Sequence, residues 1–288
     1  MRICQLAHPS TTMGWHLKLL RPMGADVQTP PHEQYLADGF FIVDHPVLPR
    51  DIVEAAVAGM DEVRHGRYDR GDEPNGSNWK PGDDPNQLCK IENPQRANQA
   101  IYDLVSHPAL GELAARVTGG AMIQVWWTQL LYKPSSPPSA QAHTNIGWHQ
   151  DRDYWTSWQK DSQLFTAWFA LSDVQADCGP MTFLRGSNHW GHLVGGSDFF
   201  GQDLQEQQRN LKTHGHAWDP APVLLPAGGV SFHDRLTFHA SGANVSDTPR
   251  RSLAIHMRTE KSAPVDEPHD LTSYLDNPCI NPVIYGNR

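Results

Sequence analysis

Apolar residues recur at helical spacing in the first part of the chain and at strand spacing in the second. Residues 1–30 read as an N-terminal extension, in which Trp15, Leu17, Leu19 and Leu20 have no evident partner surface. From Pro31 the pattern sharpens. His32–Asp38 has helical character and stops at Gly39, the residue type that most easily turns left-handed after a last helical turn. Phe40-Phe41-Ile42-Val43 predicts a short buried strand, and an amphipathic helix is expected from about Asp51 to Arg64. Residues 66–90 carry Gly66, Gly71, Pro74, Gly76, Pro81, Gly82 and Pro85 and predict a long loop, either a lid or a surface excursion. Helical periodicity returns over 96–118, through Ala100, Ile101, Leu104, Val105, Leu110, Leu113, Ala114 and Val117, and ends at Gly119-Gly120.

The period changes after Ala121. Met122–Tyr132 is rich in β-formers, and short strands are expected at Leu164–Leu171, Thr182–Leu184, Val223–Leu225, Val230–Phe232 and Ser252–Arg258. Helices first and strands afterwards predict a mainly β fold with flanking helices. Its economical form is a double-stranded β-helix, a cupin-like jelly roll with one open mouth, occupying residues 31–288 as a single domain.

Composition narrows the function classes. The chain has 288 residues, 39% of them hydrophobic, enough for a sizeable core, and its 23 Pro and 23 Gly suit a loop-rich β fold. A net charge of −9 argues against nucleic acid or an anionic membrane as partner. Cys4, Cys89, Cys178 and Cys279 are scattered and form no CxxC pair, so free thiols of a reducing compartment are expected. There is no apolar run of roughly 18 residues and no apolar signal segment near Met1, which predicts a cytoplasmic protein acting on a small molecule. Oligomeric state is not legible.

The stretch Asn145–Trp155 contains His149 and Asp151 in a His-x-Asp pair. On an extended strand, side chains at i and i+2 leave the same face, so imidazole and carboxylate would enter one pocket. With a distant second histidine they would form the 2-His-1-carboxylate set that holds non-heme Fe(II) and leaves positions open. Chance alone places about one such triplet in a chain this rich in His and Asp. A third ligand is therefore required, and His239, in Leu236–Asn244, is the candidate; Pro249-Arg250-Arg251-Ser252 follows it.

His149-x-Asp151, then His239, then an arginine eleven residues on resembles the phytanoyl-CoA dioxygenase (PhyH-like) branch of the Fe(II)/2-oxoglutarate oxygenases. Tyr35-Leu36-Ala37-Asp38-Gly39-Phe40 with Leu48-Pro49 looks like that family's opening. Cys178-Gly179-Pro180-Met181 with Arg185-Gly186-Ser187-Asn188-His189 is similar to its GPM…PGSH segment, with Arg185 in place of the usual proline. Gly228–Asn244 resembles its closing metal strand, so the resemblance spans roughly residues 31–260.

The resemblance implies Fe(II) held by His149, Asp151 and His239, with 2-oxoglutarate and O2 as cosubstrates, and oxidation of a substrate C–H coupled to decarboxylation of 2-oxoglutarate to succinate. Asp151 separates the chain from related halogenases, which carry a small residue there. The distal carboxylate of 2-oxoglutarate needs a cation with a fork of donors, which arginine supplies better than lysine. Neighbouring strand residues face opposite ways, so one of Arg250 and Arg251 points inward; the family spacing selects Arg250. Gln129, Trp168 and Ser241 carry over as further contacts to the cosubstrate, against ordinary strand packing as the alternative.

Six of the ten tryptophans lie between residues 126 and 168, and Trp155 and Trp158, just past the metal segment, are expected at the substrate mouth. Asp153 is in phase with Asp151 but is not needed as a ligand. His214-Gly215-His216 reads as loop histidines, His233 as a residue behind the ligands or a structural one, and His189 and His256 as possible pocket lining. The competing function is a non-oxidative, metal-binding cupin-like protein, which would have no use for Arg250. No concentrated basic patch for a coenzyme A group is present, and aromatic walls would suit a ring-bearing polar metabolite.

Overall fold

The computed structural model describes residues 29–135, 144–267 and 269–287, so nearly all of the expected N-terminal extension lies outside the described residues. Helix α1 (Pro31–Asp38) begins on a proline, whose missing N–H would be unpaired in the first turn anyway. It ends at Gly39, where φ is 82° and the N–H bonds back to the Tyr35 carbonyl. Strand β1 (Phe40–Val43) and helix α2 (Arg50–Arg64) follow as expected.

Two parts of the helical half differ from the sequence reading. The polar stretch 66–90 is not all loop: it holds β2 (Asn75–Ser77), paired antiparallel with β3 (Cys89–Glu92). Helical periodicity over 96–118 corresponds to two helices, α3 (Gln99–Val105) and α4 (Pro108–Thr118). Pro108 disfavours helical backbone at His107, which is extended (φ −68°, ψ 126°) and caps the new helix by accepting from the Ala109 N–H.

The remaining elements are β4 (Ile123–Lys133), β5 (Ile146–His149), β6 (Leu164–Ala170), β7 (Met181–Leu184), α5 (Leu204–Lys212), β8 (Pro220–Pro222), β9 (Val230–Asp234), β10 (His239–Ser241), β11 (Arg250–Thr259) and β12 (Val283–Tyr285). The strand expected at Val223–Leu225 is displaced to Pro220–Pro222, with Leu225 making only an isolated bridge to Val174. Prolines cannot donate to a ladder, and β8 sits at a sheet edge, where that costs little.

The strands form two sheets, in the order β1-β9-β6-β11-β4-β3-β2 with β12 also on β4, and β5-β10-β7-β8. This is the expected mainly β jelly roll. Along the central strands of the larger sheet, alternate residues part company. Phe165, Ala167, Phe169, Leu253, Ile255 and Met257 join Val53, Met60, Ile101, Leu104 and Leu110 of the helices in the main core. Their neighbours Trp168, Ala170 and Ala254 turn the other way and pack with Met181 and Phe183 of the smaller sheet. Among the described residues no helix is long and apolar enough to cross a membrane.

Candidate metal centre

The centre forms where the smaller sheet meets the inner face of the larger one. His149, the last residue of β5, lies directly opposite His239, the first residue of β10. Directly opposed strand residues share a face, and the two rings are 4.0 Å apart, centroid to centroid. Asp151 does not continue the strand, as the i, i+2 reading had it; it opens a 3-10 turn, Asp151–Asp153. Gln150, fully buried, makes the turn. Its Nε2 donates to the carbonyls of Gly191 and Leu236 while its N–H donates to Ser197 Oγ. The carboxylate still arrives beside the histidines: Asp151 Oδ1 is 3.7 Å from both His149 Nε2 and His239 Nε2.

Hydrogen bonds behind these side chains fix how they point. His149 Nδ1 lies 2.8 Å from the Gly147 carbonyl and His239 Nδ1 3.0 Å from the Thr237 carbonyl. A carbonyl can only accept, so Nδ1 carries the proton in each ring and Nε2 presents a lone pair inward. Asp151 Oδ2 accepts from Thr166 Oγ1 at 2.8 Å and lies 3.2 Å from His233 Nε2. One carboxylate oxygen is thereby tied down and the other faces the imidazoles. Thr166 Oγ1 is also 2.8 Å from His256 Nδ1.

Burial, with the neighbouring His149 and His233, lowers the pKa of His239 well below the ordinary histidine value; burial likewise lowers that of His149. Burial by itself would raise the pKa of Asp151, but His239 and the hydrogen-bonded His233 outweigh it and hold the carboxyl well below its usual range. At neutral pH the set is two neutral imidazoles and one carboxylate, all buried, with one ligand atom from each within 4.8 Å of the others. Such a set carries one uncompensated negative charge and fits a divalent iron-type cation. Among the described residues it is the one such cluster of His, Cys, Asp and Glu. Asp153 stays outside it, 2.5 Å from His192 Nε2.

A narrow cavity opens beside the three ligands, and Gln129, Trp168, Ser241 and Arg250 all line it. Arg250 is 1% exposed, donates to the Gly179 carbonyl and lies 5.3 Å from the Trp168 ring. Burial lowers its pKa to about 10, so it keeps its charge at neutral pH. Arg251 faces the opposite side of β11, where its Nη2 is 3.8 Å from Asp61 Oδ2 of α2.

A second, wider cavity of about 270 Å³ adjoins the first and shares His149, Asp151, Gln129 and His256 with it. Its walls are aromatic: Trp126, Trp127, Tyr154, Trp155, Phe199 and Phe200. Polar groups enter from Lys90 and Glu92, paired at 3.0 Å, and Trp127 Nε1 donates to Glu92 at 2.6 Å. Trp155, expected at the substrate mouth, lines this cavity. Trp158 does not: it is 1% exposed, packs edge-on against Trp126 and lines neither cavity. The bend after Asp151 carries it behind the wall, into the cluster with Trp126 and Leu164.

His233 and His256 both reach the centre, whereas His189, His214 and His216 are exposed, with His216 stacked on Trp190. Sequence reasoning missed Thr166, Lys133 and Glu92. Thr166 was within reach of it, lying two residues before Trp168 on one expected strand and so on the same face.

The sequence model of the family described as "Phytanoyl-CoA dioxygenase (PhyH)" matches residues 35–252. Among solved structures the chain is similar to SnoK, described as a non-heme alpha ketoglutarate dependent carbocyclase from nogalamycin biosynthesis. Identity is 24%, 85% of this chain and 88% of that one are covered, and the TM-score is 0.62. The epimerase SnoN, solved with Fe3+, alpha ketoglutarate and nogalamycin RO, gives 22% identity, coverage of 81% and 84%, and a TM-score of 0.62. AviO1 from Streptomyces viridochromogenes Tue57 gives 21% identity, coverage of 81% and 96%, and a TM-score of 0.58. These likenesses concern the fold. No curated protein sequence gives a significant match.

Proposed function

The chain belongs to the phytanoyl-CoA dioxygenase family, and from that premise we propose that it hydroxylates an unactivated C–H bond of a ring-bearing small metabolite. It is a non-heme iron, 2-oxoglutarate-dependent oxygenase. His149, Asp151 and His239 would hold the metal, and residues 31–288 would act as one catalytic unit. The observation that carries this reading is Asp151: Oδ1 faces two imidazole lone pairs while Oδ2 is occupied by Thr166 and His233. A carboxylate so restrained serves as a one-oxygen ligand, leaving positions for cosubstrate and oxygen.

When bound, iron with 2-oxoglutarate and O2 supplies the oxidising chemistry. The protein's own contribution is binding, orientation and exclusion of water. Arg250 offers its guanidinium to the distal carboxylate of 2-oxoglutarate, with Ser241, Gln129 and Trp168 completing the pocket. A non-oxidative binding protein would have no reason to bury an arginine there, since an unpaired buried charge is costly. The aromatic cavity would receive the substrate, its rings stacking on flat groups. Its Lys90–Glu92 pair is internally neutralised, which favours a polar, largely uncharged molecule over a coenzyme A thioester. The free thiols of Cys89, Cys178 and Cys279 support a reducing, cytoplasmic setting.

The test is succinate release from the iron-loaded protein against a panel of polyketide-like, sugar-bearing and acyl-CoA compounds. Stimulation by ring-bearing metabolites is expected, with one oxygen atom gained by the product. Stimulation by acyl-CoA esters alone would overturn the substrate reading.

A further inference from the structure

Lys133 stands directly opposite Arg250 in the ladder between β4 and β11. Paired residues project from one face, so two cations are placed side by side on the inner surface of the larger sheet. Lys133 is 0% and Arg250 1% exposed. Like charges directly opposite are unfavourable even in water, and burial makes each dearer. Among the described residues neither has a carboxylate partner: Lys133 Nζ donates to Ser241 Oγ at 2.8 Å and to the Gly242 carbonyl at 2.6 Å, and Arg250 donates to the Gly179 carbonyl. Arg250 Nε is buried with no partner. Burial, with Arg250 adding to it, pulls the Lys133 pKa well below the lysine value. The protonated form of Lys133 thus has a cation, Arg250, and neutral acceptors around it but no counter-charge among the described residues, and an incoming anion would favour that form.

Lys133 does not line the cavity; Ser241 and Arg250 do. Because Ser241 Oγ accepts from Lys133, its own hydrogen is left for another acceptor, and Ser241 lines the cavity. We propose that Lys133 is a positioning residue for the distal carboxylate of 2-oxoglutarate, holding the Ser241 hydroxyl as a donor and placing a second positive charge behind it. The proposal rests on reading this cavity as the 2-oxoglutarate pocket. It makes the pocket selective for a dicarboxylate: a 2-oxo acid with the same chelating end but no distal carboxylate gains nothing from Lys133.

The experiment is anaerobic calorimetry of the iron-loaded protein with 2-oxoglutarate and with 2-oxobutyrate, which lacks the distal carboxylate. Lys133→Met should weaken 2-oxoglutarate binding by about 10- to 100-fold, the range of a hydrogen bond to a charged group. 2-Oxobutyrate binding should be unchanged. Lys133→Arg should recover part of the loss. Ser241→Ala should also lose 2-oxoglutarate selectively and, combined with Lys133→Met, should cost less than the two losses added, because the residues act together. Should Lys133→Met not fold, Lys133→Gln, which keeps a donor and drops the charge, replaces it with the same expectation. Equal weakening of both acids would mark Lys133 as merely structural and overturn the proposal, as would 2-oxoglutarate binding at the wild-type level. Wild-type protein that binds neither acid would instead remove the oxygenase reading, and the proposal with it.

Discussion

The two faces of the larger sheet are built from the same strands and have opposite chemistry. On β11, Leu253, Ile255 and Met257 turn toward the helices and sit in a wholly apolar core. Arg250, Ala254 and His256 turn inward and line the cavities. On β6 and β9 the inner positions Thr166 and His233 are likewise polar and both touch Asp151. The outer face holds the strands in register, and that register delivers the inner face to the ligands. Stability and function are therefore separable by one residue's step along a strand, and Arg250 against Arg251 is the sharpest instance.

Substitutions on the inner face should abolish activity and spare the fold; those on the outer face should do the reverse. Asp151→Ala should reduce succinate formation to background while circular dichroism stays native, and normal turnover would remove Asp151 from the ligand set. Ile255→Ala, on the apolar face, should destabilise by about 2–5 kcal/mol, the range for deleting a buried aliphatic side chain. Chemical denaturation measures it, and the apparent KM for 2-oxoglutarate should be unchanged in the protein that remains folded.

The arginine pair divides in the same way. Arg250→Ala should raise the apparent KM for 2-oxoglutarate by roughly 100-fold, within the 2–5 kcal/mol typical of truncating one side of a buried charge pair. Arg251→Ala, whose pairing with Asp61 is partly exposed, should leave KM alone and cost at most about 1 kcal/mol of stability. A KM effect confined to Arg251→Ala would mean that the strand register is off by one.

Acid should act through the inner face. Burial lowers the pKa of His256 to about 4, against roughly 6.5 in an unfolded chain. Between these values the unfolded state binds the extra proton, so the stabilisation is complete above about pH 6.5 and is lost as pH falls toward 4. At about 1.4 kcal/mol per pH unit this is on the order of 3 kcal/mol for His256, and His149 and His239, shifted the same way, add to it. Melting of the metal-free protein across pH 4–7 should show the slope, and Ile255→Ala should shift the curve without flattening it. A milder effect than loss of a ligand is expected at Thr166→Val, which leaves Asp151 Oδ2 with His233 as its one remaining partner among the described residues: iron affinity should fall by about 10- to 100-fold, measured by competition with a chelator.

Much of this division was legible in the sequence, because it follows local period. Gly39 as a left-handed helix end and the opposite facing of Arg250 and Arg251 come from spacing, whereas the choice of Arg250 and the places of Gln129 and Ser241 came from the family resemblance. The metal segment was legible in outcome but not in shape, since the turn after His149 depends on Gln150 reaching Gly191 and Leu236, far along the chain. Trp158 was misplaced for the same reason. Lys133 escaped because its meaning lies in two cross-strand partners, Arg250 and Ser241, each more than 100 residues away. The break between α3 and α4 was written in Pro108, whose effect on His107 outweighs the apolar periodicity around it.

The central claim is that the inner face assembles one iron site with an adjoining 2-oxoglutarate pocket. Anaerobic titration of the apo-protein with Fe(II), then with 2-oxoglutarate, tests it most directly through the visible charge-transfer absorption of a keto acid chelating Fe(II). A band that appears with both, and is absent in Asp151→Ala, is the predicted result. Fe(II) binding with no band on adding 2-oxoglutarate would contradict the claim and leave a metal-binding jelly roll without the oxygenase chemistry.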